Sequence, residues 1–231
     1  MNLVLTCEHG GNKVPAKHRS LFEGEQRALD SHRGWDPGAL DLARQMARRT
    51  KRPLVSCTTT RMLVDLNRTR KHPSLFSEWS RRLTDAERED LLNAHWQPHR
   101  AALLEHLEQM RGETTLHLSV HSFTPRWKGR VRNVDIGLLH DPSRRREREV
   151  VLAWRKAILE LDPTLRVYLN RPYFGTADGL TTELRGKLPA RDYLGIEIEV
   201  SQRFPQGSPT RWARLRSDLT NSLVEVLDGA P

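Results

Sequence analysis

The sequence predicts a three-layer α/β domain whose mostly parallel or mixed central sheet has helices on both faces. Short apolar runs of strand length alternate with amphipathic segments of helix length along almost all of the 231 residues. This alternation is typical of strands joined by crossover helices. No internal repeat, low-complexity tract or linker interrupts it. We therefore expect a single domain over residues 1–231.

The predicted strands are short runs that are apolar or alternate between apolar and polar residues. They cover residues 3–5, 54–56, 115–121, 134–139, 165–169 and 193–200, with a further candidate at 63–66. In the strand at 115–121, the two-residue period places His117, Ser119 and His121 on one face and apolar side chains on the other.

The predicted helices follow from apolar spacing and from start signals. Asp36 before Pro37 is typical of a helix start, with Asp as N-cap and Pro at the first helical position. Thr84 and Glu87 form a capping-box pattern that predicts a long helix over 85–109, kinked or broken near Pro98. The other predicted helices cover residues 23–29, 142–161, 181–188 and 209–227.

Composition limits the class of protein. Apolar residues make up 37% of the chain and charged residues 29%, and no apolar run is long enough to span a membrane. There is no basic-then-apolar leader at the N-terminus. Cys7 and Cys57 are the only cysteines, too few for a disulfide framework. We expect a cytoplasmic protein with no membrane partner; the oligomeric state is left open.

The net charge of +9 allows two kinds of anionic partner, or only a solvated basic surface in an arginine-rich chain. One is a polyanion such as nucleic acid, which gives the alternative function of a non-enzymatic binder. The other is a small acidic substrate. The arginines are scattered and form no stripe with interleaved aromatic residues. This distribution disfavours nucleic acid as a partner.

Two histidines are predicted to lie at the ends of strands. His9 follows the first strand, beside Gly10 and Gly11, which allow a sharp turn and close approach of a ligand. His121 ends the strand at 115–121 before a polar loop. Two histidines and a carboxylate are a common ligand set of catalytic zinc. Asp36 is the candidate third ligand and His32 the alternative.

The last predicted strand carries Glu197 and Glu199 on the same face. If that strand lies inside the sheet, their carboxylates need a metal, an arginine or a proton as partner. One of them is our candidate general base. The candidates for binding an acidic substrate are Arg68 with Asn67, and Arg61 as a second arginine. A guanidinium group can donate two parallel hydrogen bonds to one carboxylate.

A cysteine-dependent hydrolase that uses Cys7 is a further alternative, although the end of an apolar strand favours a packed thiol. The Gly-x-Ser-x-Gly pattern of serine hydrolases is absent from the sequence.

Seven motifs, from residue 3 to about residue 204, together resemble the N-formylglutamate amidohydrolase family. They are EHGGN at 8–12 with Pro15, HRGWDPGA at 32–39, DLNR at 65–68, VHSFTP at 120–125, DIGL at 135–138, NRPYFG at 170–175 and GIEIE at 195–199. The resemblance implies a phosphorylase/hydrolase-like fold and a metal-dependent hydrolase, with zinc or another divalent metal, that cuts a linear amide. Its substrate would be a small acidic N-acyl amino acid such as N-formylglutamate.

The resemblance also implies roles by position. His9, Asp36 and His121 would hold the metal, Glu197 or Glu199 would be the catalytic carboxylate, and Asn67 and Arg68 would hold a substrate carboxylate. The chain departs from the pattern at Glu8, where several members have proline, which suggests a branch with a different substrate. Asn12 stands where the related carboxypeptidases have a glutamate ligand, so the third ligand must come from elsewhere.

Overall fold

A computed structural model describes residues 1–229 of the chain. The predicted domain ends at residue 231, and its last two residues lie outside this range. The strands are β1 (Asn2–Cys7), β2 (Leu54–Ser56), β3 (Thr115–Phe123), β4 (Arg126–Trp127), β5 (Arg130–Val131), β6 (Ile136–Leu139), β7 (Val167–Leu169) and β8 (Tyr193–Ser201). The helices are α1 (Gln26–Leu29), α2 (Ala39–Thr50), α3 (Asp85–Leu91), α4 (Gln97–Gln109), α5 (Arg145–Leu161), α6 (Leu180–Arg185) and α7 (Pro209–Gly229).

Six strands form the central sheet in the order β2-β1-β3-β8-β6-β7. The first four of these are mutually parallel, β6 is antiparallel to β8, and β7 is parallel to β6. The remaining two, β4 and β5, form a small antiparallel hairpin that the sequence did not predict. The mixed, mostly parallel sheet is therefore confirmed.

Helices cover both faces of this sheet. On one face, α2, α5 and α7 pack over the largest apolar cluster, to which the strands contribute Leu5, Leu118 and Ile196. On the other face, α4 and α6 pack against Val4 and Tyr193. This arrangement confirms the three-layer α/β fold.

The second face carries buried polar side chains because neighbouring residues of a strand point to opposite faces. Glu8 follows β1, while Ser119 and His121 lie on β3 and Glu199 on β8, and all four are buried. The parallel pairing brings His121 directly beside Glu199 in the register of β3 and β8. The carboxyl ends of these central strands are thus the polar edge of the domain.

The candidate strand at 63–66 is not a strand. Met62, Leu63, Val64 and Leu66 are buried in a separate apolar cluster with Trp79, beneath the loops between β2 and α3. The run is apolar because it packs against these loops. A buried apolar segment of this length has the same composition as a buried strand, which is why the prediction was wrong.

The long helix predicted over 85–109 is divided, as its proline indicated. The capping box of Thr84 and Glu87 starts α3. A π-helical turn over Leu92–Trp96 joins α3 to α4, where Pro98 occupies the first turn. Proline has no N–H to donate to the preceding turn, so the hydrogen-bond pattern changes there.

The prediction that Asp36 caps a helix is wrong. The N-cap of α2 is Gly38, whose φ of 81° lies in the left-handed region that glycine tolerates. A Cβ at this position would also lie 2.5 Å from the side chain of Pro205. The carboxylate of Asp36 is therefore directed away from the helix end and is free for other partners.

Gly10 and Gly11 lie where the segment after β2 approaches the chain closely. A Cβ on Gly10 would lie 2.9 Å from the carbonyl oxygen of Cys57, and one on Gly11 would lie 2.7 Å from that of Thr58. A side chain at either position would clash with the segment after β2, while the predicted close approach of a ligand stays a prediction.

Within residues 1–229, none of the helices has the length and apolar character needed to cross a membrane.

Candidate metal centre

The loops and strand ends at the polar edge bring His9, Asp36 and His121 together. His9 lies two residues after β1, and its carbonyl oxygen accepts a hydrogen bond from the backbone N–H of Asp36 at 2.9 Å. This bond fixes the loop before α2 beside the end of β1. All three side chains are buried, and one potential ligand atom from each lies within 4.8 Å of the other two.

Both imidazoles present the same ring nitrogen to the same oxygen. Nδ1 of His121 lies 2.9 Å from Oδ2 of Asp36, and Nδ1 of His9 lies 3.4 Å from that atom. The ring centroids of the two histidines are 5.0 Å apart. The donor atoms of two strands and one loop therefore face a common point.

The opposite nitrogen of His9 is held by Asp65. The distance from Nε2 to Oδ1 of Asp65 is 2.7 Å, and Oδ2 of Asp65 accepts hydrogen bonds from Arg61 Nε and Nη2 at 3.2 and 2.6 Å. A carboxylate accepts a hydrogen bond from Nε2–H, and in this tautomer the Nδ1 lone pair of His9 faces Asp36. The role of Asp65 gave no signal in the sequence, because it depends on a fold that brings residues 9 and 65 together.

The opposite nitrogen of His121 is held in the same way. Its Nε2 lies 2.8 Å from Oγ of Ser119 and 3.1 Å from Oε2 of Glu8. Ser119 donates its hydroxyl to the same Glu8 oxygen at 2.7 Å. His99 of α4 approaches the other oxygen of Glu8 at 3.5 Å. Glu8 is thus a fully buried partner of a candidate ligand.

Charge interactions shift the pKa values of these groups. Burial alone would raise the pKa of Glu8, but hydrogen bonds from His121 and the approach of His99 place it well below its usual range. Asp36 and Asp65 also have lowered pKa values despite their burial, because His9, His121 and Arg61 lie against them. Carboxylates that remain ionised in a buried site favour a cation among them.

The donor set fits a divalent metal ion. Ligands bonded to a tetrahedral ion at ~2.0–2.2 Å lie roughly 3.3–3.6 Å from one another. The distances of 2.9 and 3.4 Å between the Nδ1 atoms and Oδ2 of Asp36 are close to this range. Beside the cluster, Oε2 of Glu199 is buried and has no hydrogen-bond partner among the described residues. Two imidazoles and a carboxylate suit zinc and several other transition metals.

Glu197 and Glu199 differ in their surroundings. Strand β8 lies between β3 and β6, so neither residue is on a sheet edge. Oε1 of Glu197 accepts a hydrogen bond from the hydroxyl of Thr181 at 2.6 Å. Glu199 is more deeply buried, and this burial raises its pKa to about 8. Both line a cavity of about 360 Å³ that also contains His9, Asp36 and His121.

The predicted substrate-binding residues all line this cavity, but they differ in how many of their polar atoms are already hydrogen-bonded within the protein. Arg68 donates from Nη1 to the carbonyl oxygen of Asp178, while its buried Nε has no partner within the part of the chain that the structure describes. Asn67 accepts a hydrogen bond from the backbone of Leu180 at 2.7 Å, and its Nδ2 lies 3.3 Å from Nε2 of His121. Arg61 is held by Asp65 and, at 3.4 Å, by Asp36, so its guanidinium is committed to carboxylates of the site.

Arg132 lines the same cavity, although sequence reasoning did not select it. Its Nη1 donates to two neutral oxygens, the carbonyl of Thr124 at 3.4 Å and the hydroxyl of Tyr173 at 3.0 Å. Its guanidinium lies over the rings of Tyr173, Trp127 and Phe123, with centroid distances of 5.0, 5.3 and 5.7 Å. None of the ion pairs formed within residues 1–229 includes Arg132, which leaves its charge available to a ligand.

The two remaining alternatives from the sequence lie outside the cluster. His32 packs edge-on against Trp127, with ring centroids 5.8 Å apart, and is not among the converging ligand atoms. Cys7 is fully buried in the main apolar cluster, on the face of the sheet opposite Glu8. Burial raises the pKa of its thiol well above the usual value, which is contrary to a nucleophilic role.

Comparison with protein families gives a match over most of the chain. The model of the N-formylglutamate amidohydrolase family matches residues 1–204. The chain belongs to this family. As an N-formylglutamate amidohydrolase family member, it is a hydrolase of the amidohydrolase type. The family that the seven motifs indicated is thereby confirmed.

Two solved structures resemble this family member over nearly its whole length. The Atu2144 gene product of Agrobacterium tumefaciens is 28% identical, with a TM-score of 0.82 over 98% of this chain and 90% of that chain. An N-formylglutamate amidohydrolase from Ralstonia eutropha JMP134 is 21% identical, with a TM-score of 0.64 over 98% of this chain and 93% of that chain. The second likeness concerns the fold alone. No curated protein matched the sequence.

Proposed function

We propose that this amidohydrolase is metal-dependent and that His9, Asp36 and His121 hold one divalent cation, with zinc as the first candidate. The observation that carries the proposal is the convergence of both Nδ1 atoms on Oδ2 of Asp36. The two Nε2 atoms are occupied by Asp65, Ser119 and Glu8. These partners fix the ring orientation in which the lone pairs of both Nδ1 atoms face the cation.

A cation bound there would supply Lewis-acid chemistry, polarising an amide carbonyl and making a water molecule more acidic. The chain itself supplies proton transfer. In the reaction, the water oxygen bonds to the acyl carbon and the carbon–nitrogen bond breaks. A cation beside Glu199 would favour its ionised form, and through its unpartnered Oε2 this carboxylate would accept the proton of the water and pass it to the departing nitrogen. The products are a carboxylic acid and an amine.

We propose that Glu197 has a supporting role. Its Oε1 is already engaged by the hydroxyl of Thr181. A carboxylate that is held in this way is less free to exchange a proton than Glu199. This difference in hydrogen bonding separates two glutamates that the sequence left equivalent.

We propose as substrate a small acidic N-acyl amino acid, with N-formylglutamate as the first candidate. Arg68 and Arg132 both line the cavity and have no carboxylate partner in the described chain. Two available guanidinium groups suit the two carboxylates of an N-acylated glutamate. Asn67 helps to position the loop that carries Arg68, and Arg61 orients Asp36 and Asp65 instead of contacting substrate.

The test is hydrolysis of N-formyl-L-glutamate by purified protein of known metal content, with formate and glutamate both measured. We expect activity that is lost on treatment with a chelator and restored by zinc or another divalent ion. Full activity in protein that elemental analysis shows to be free of metal would contradict the metal assignment. Absence of hydrolysis of any N-acyl amino acid by metal-loaded protein would contradict the substrate class. The alternative of a polyanion binder stays a prediction, and a steep fall of nucleic-acid affinity with salt would support it.

A further inference from the structure

The segment that carries Arg68 is attached at three successive residues to the segment that leads into α6. The side chain of Asn67 accepts a hydrogen bond from the backbone N–H of Leu180 at 2.7 Å. Arg68 donates from Nη1 to the carbonyl oxygen of Asp178. Thr69 donates its backbone N–H and its hydroxyl to the two carboxylate oxygens of Asp178, at 3.2 and 2.6 Å. The bonded residues are 109 to 113 positions apart in the chain, so only the tertiary fold brings the two segments together.

Side chains from the helical region around α4 hold the backbone of the same segment. The carbonyl oxygen of Arg68 accepts hydrogen bonds from Trp96 Nε1 and Arg100 Nη2, both at 2.9 Å. Trp96 lies on the π-helical turn before α4, and the guanidinium of Arg100 lies 3.6 Å over its ring. Arg100 also donates to the carbonyl oxygen of Leu66 at 3.0 Å. These bonds fix the backbone at Arg68, so the contact with Asp178 is left to fix the direction of its side chain.

The guanidinium of Arg68 is held by one N–H group and has others to spare. Nη1 donates to the carbonyl oxygen of Asp178, and Nη2 donates to no group within residues 1–229. Arg68 and Asp178 both line the cavity of the metal cluster. A guanidinium that is already held in one orientation loses less conformational freedom when it binds a carboxylate. Both carboxylate oxygens of Asp178 are engaged by Thr69, so this residue can act on a ligand through Arg68.

We propose that Asp178 is a positioning residue for substrate binding. Its carboxylate holds Thr69, and this attachment keeps its carbonyl oxygen in the place where it directs the Arg68 guanidinium toward a carboxylate of the substrate. The inference rests on the proposed function, because it takes Arg68 as a residue that binds an N-acylated glutamate. A residue that acts in this way changes substrate affinity and leaves the chemical step at Glu199 nearly unchanged.

The first test removes the hydroxyl that binds Asp178 and compares a variant that keeps it. Thr69→Val deletes this donor at nearly constant side-chain volume, whereas Thr69→Ser retains it. With metal-loaded enzyme and N-formyl-L-glutamate, we expect Thr69→Val to raise KM about tenfold with kcat changed less than about twofold, and Thr69→Ser to resemble the unmodified protein. Thr164→Val is the matched control, because Thr164 donates the same two groups to Asp162 and does not line this cavity. An equal KM in the valine and serine variants, or a fall in kcat as large as the rise in KM, would overturn the proposal.

The second test asks whether the effect depends on Arg68. Asp178→Asn leaves one oxygen acceptor where the carboxylate has two, so we expect it to raise KM as Thr69→Val does. In an Arg68→Gln background, neither change should raise KM further, because the guanidinium that they position is absent. Increases that simply add would overturn the proposal. So would a KM that falls in Asp178→Asn, because the carboxylate would then act by repelling the substrate.

A binding measurement separates this inference from the catalytic assignment. Calorimetry with the zinc-loaded Glu199→Gln variant measures the affinity for N-formyl-L-glutamate without depending on turnover. We expect Thr69→Val in this background to weaken binding about tenfold and Thr69→Ser to leave it nearly unchanged. Equal affinities in all three proteins would overturn the positioning role even if the unmodified enzyme hydrolyses the compound. The expected loss of affinity in a protein that hydrolyses no N-acyl amino acid would support the positioning role and contradict the proposed function. Absence of binding to the Glu199→Gln protein itself would overturn the inference together with the proposed substrate.

Discussion

Oδ1 of Asp65 lies 2.7 Å from Nε2 of His9, on the side of the imidazole ring opposite Asp36. The carboxylate selects the ring tautomer and holds the plane of the ring. Arg61 in turn holds the carboxylate through two hydrogen bonds to Oδ2. A candidate ligand on one strand end is thus fixed by residues 52 to 56 positions further along the chain, which places the Asp65 side chain among the most informative targets for mutation.

We expect Asp65→Asn to weaken metal binding by roughly 10–100-fold, which is typical of a carboxylate that orients a ligating histidine. The amide can present N–H to His9 and so favours the wrong tautomer. The dissociation constant for zinc, measured by competition with a chelating dye, checks this. Asp90→Asn, at an exposed site on α3, is the control. An affinity equal to that of the unmodified protein would remove Asp65 from the metal centre.

The assignment of the three candidate ligands predicts how many metal ions each variant binds per chain. His9→Ala, His121→Ala and Asp36→Asn should each bind much less than one metal ion per chain, because three protein ligands are the minimum of an open site. Elemental analysis after dialysis gives the measurement, and circular dichroism shows whether each variant is folded. His106→Ala, on α4 outside the cavity that the three candidate ligands line, should keep the full metal content. Folded variants of His9 and His121 with full metal content would contradict the assignment.

The two glutamates of β8 should differ in their effect on turnover. Glu199→Gln should lower kcat by about 10²–10⁴-fold with metal content unchanged, which is the usual range for loss of a general base. Glu197→Gln should have a smaller effect, because its Oε1 is engaged by Thr181. Steady-state kinetics with N-formyl-L-glutamate decides between them. If the larger loss occurs at Glu197, the roles are reversed.

Arg132 should act on substrate affinity more than on the chemical step. Loss of a hydrogen bond to a charged group costs about 1.5–3 kcal/mol, so Arg132→Gln should raise KM for N-formyl-L-glutamate by roughly 10–100-fold with a small change in kcat. With N-formyl-L-glutamine, which has one carboxylate, the rise should be smaller. Arg130→Gln, at an exposed position of β5 two residues before Arg132, is the control. An equal rise in KM for both substrates would show that Arg132 does not bind the side-chain carboxylate of the glutamate substrate.

Asp135 predicts how stability depends on pH. Its buried side chain accepts hydrogen bonds from Arg166 and pairs with Arg203 at 2.6 Å. Burial alone would raise its pKa, but these arginines lower the value below the usual range. A lowered pKa in the folded state stabilises the protein above the pKa of the unfolded state, and this contribution is lost as the pH falls through the folded pKa.

We therefore expect Asp135→Asn to reduce the free energy of unfolding by about 1–3 kcal/mol at pH 7. The difference from the unmodified protein should shrink as the pH is lowered below about 4, where the unfolded carboxyl is protonated. Urea denaturation at several pH values provides the measurement. Asp90→Asn should leave the curve nearly unchanged at every pH. A deficit that is constant with pH would show that the ion pairs are not its cause.

The sequence alone determined the elements whose signals are local. The alternating apolar and polar residues of β3 and β8, the capping box of α3 and the break near Pro98 depend on neighbours a few positions away. The family likewise followed from motifs that can be read in order. These features were predictable because side-chain period and turn chemistry are properties of short segments.

Only the tertiary structure decided the finer assignments of the site. Asp36 looked like a helix cap, but a left-handed Gly38 takes that position and leaves its carboxylate to the two imidazoles. The apolar run before Asn67 looked like a strand, but it packs beneath loops. The partners Asp65, Glu8 and Arg132 depend on contacts between segments far apart in the chain. Such contacts arise from the packing of whole strands and loops, so they cannot be predicted from the local pattern of residues along the sequence.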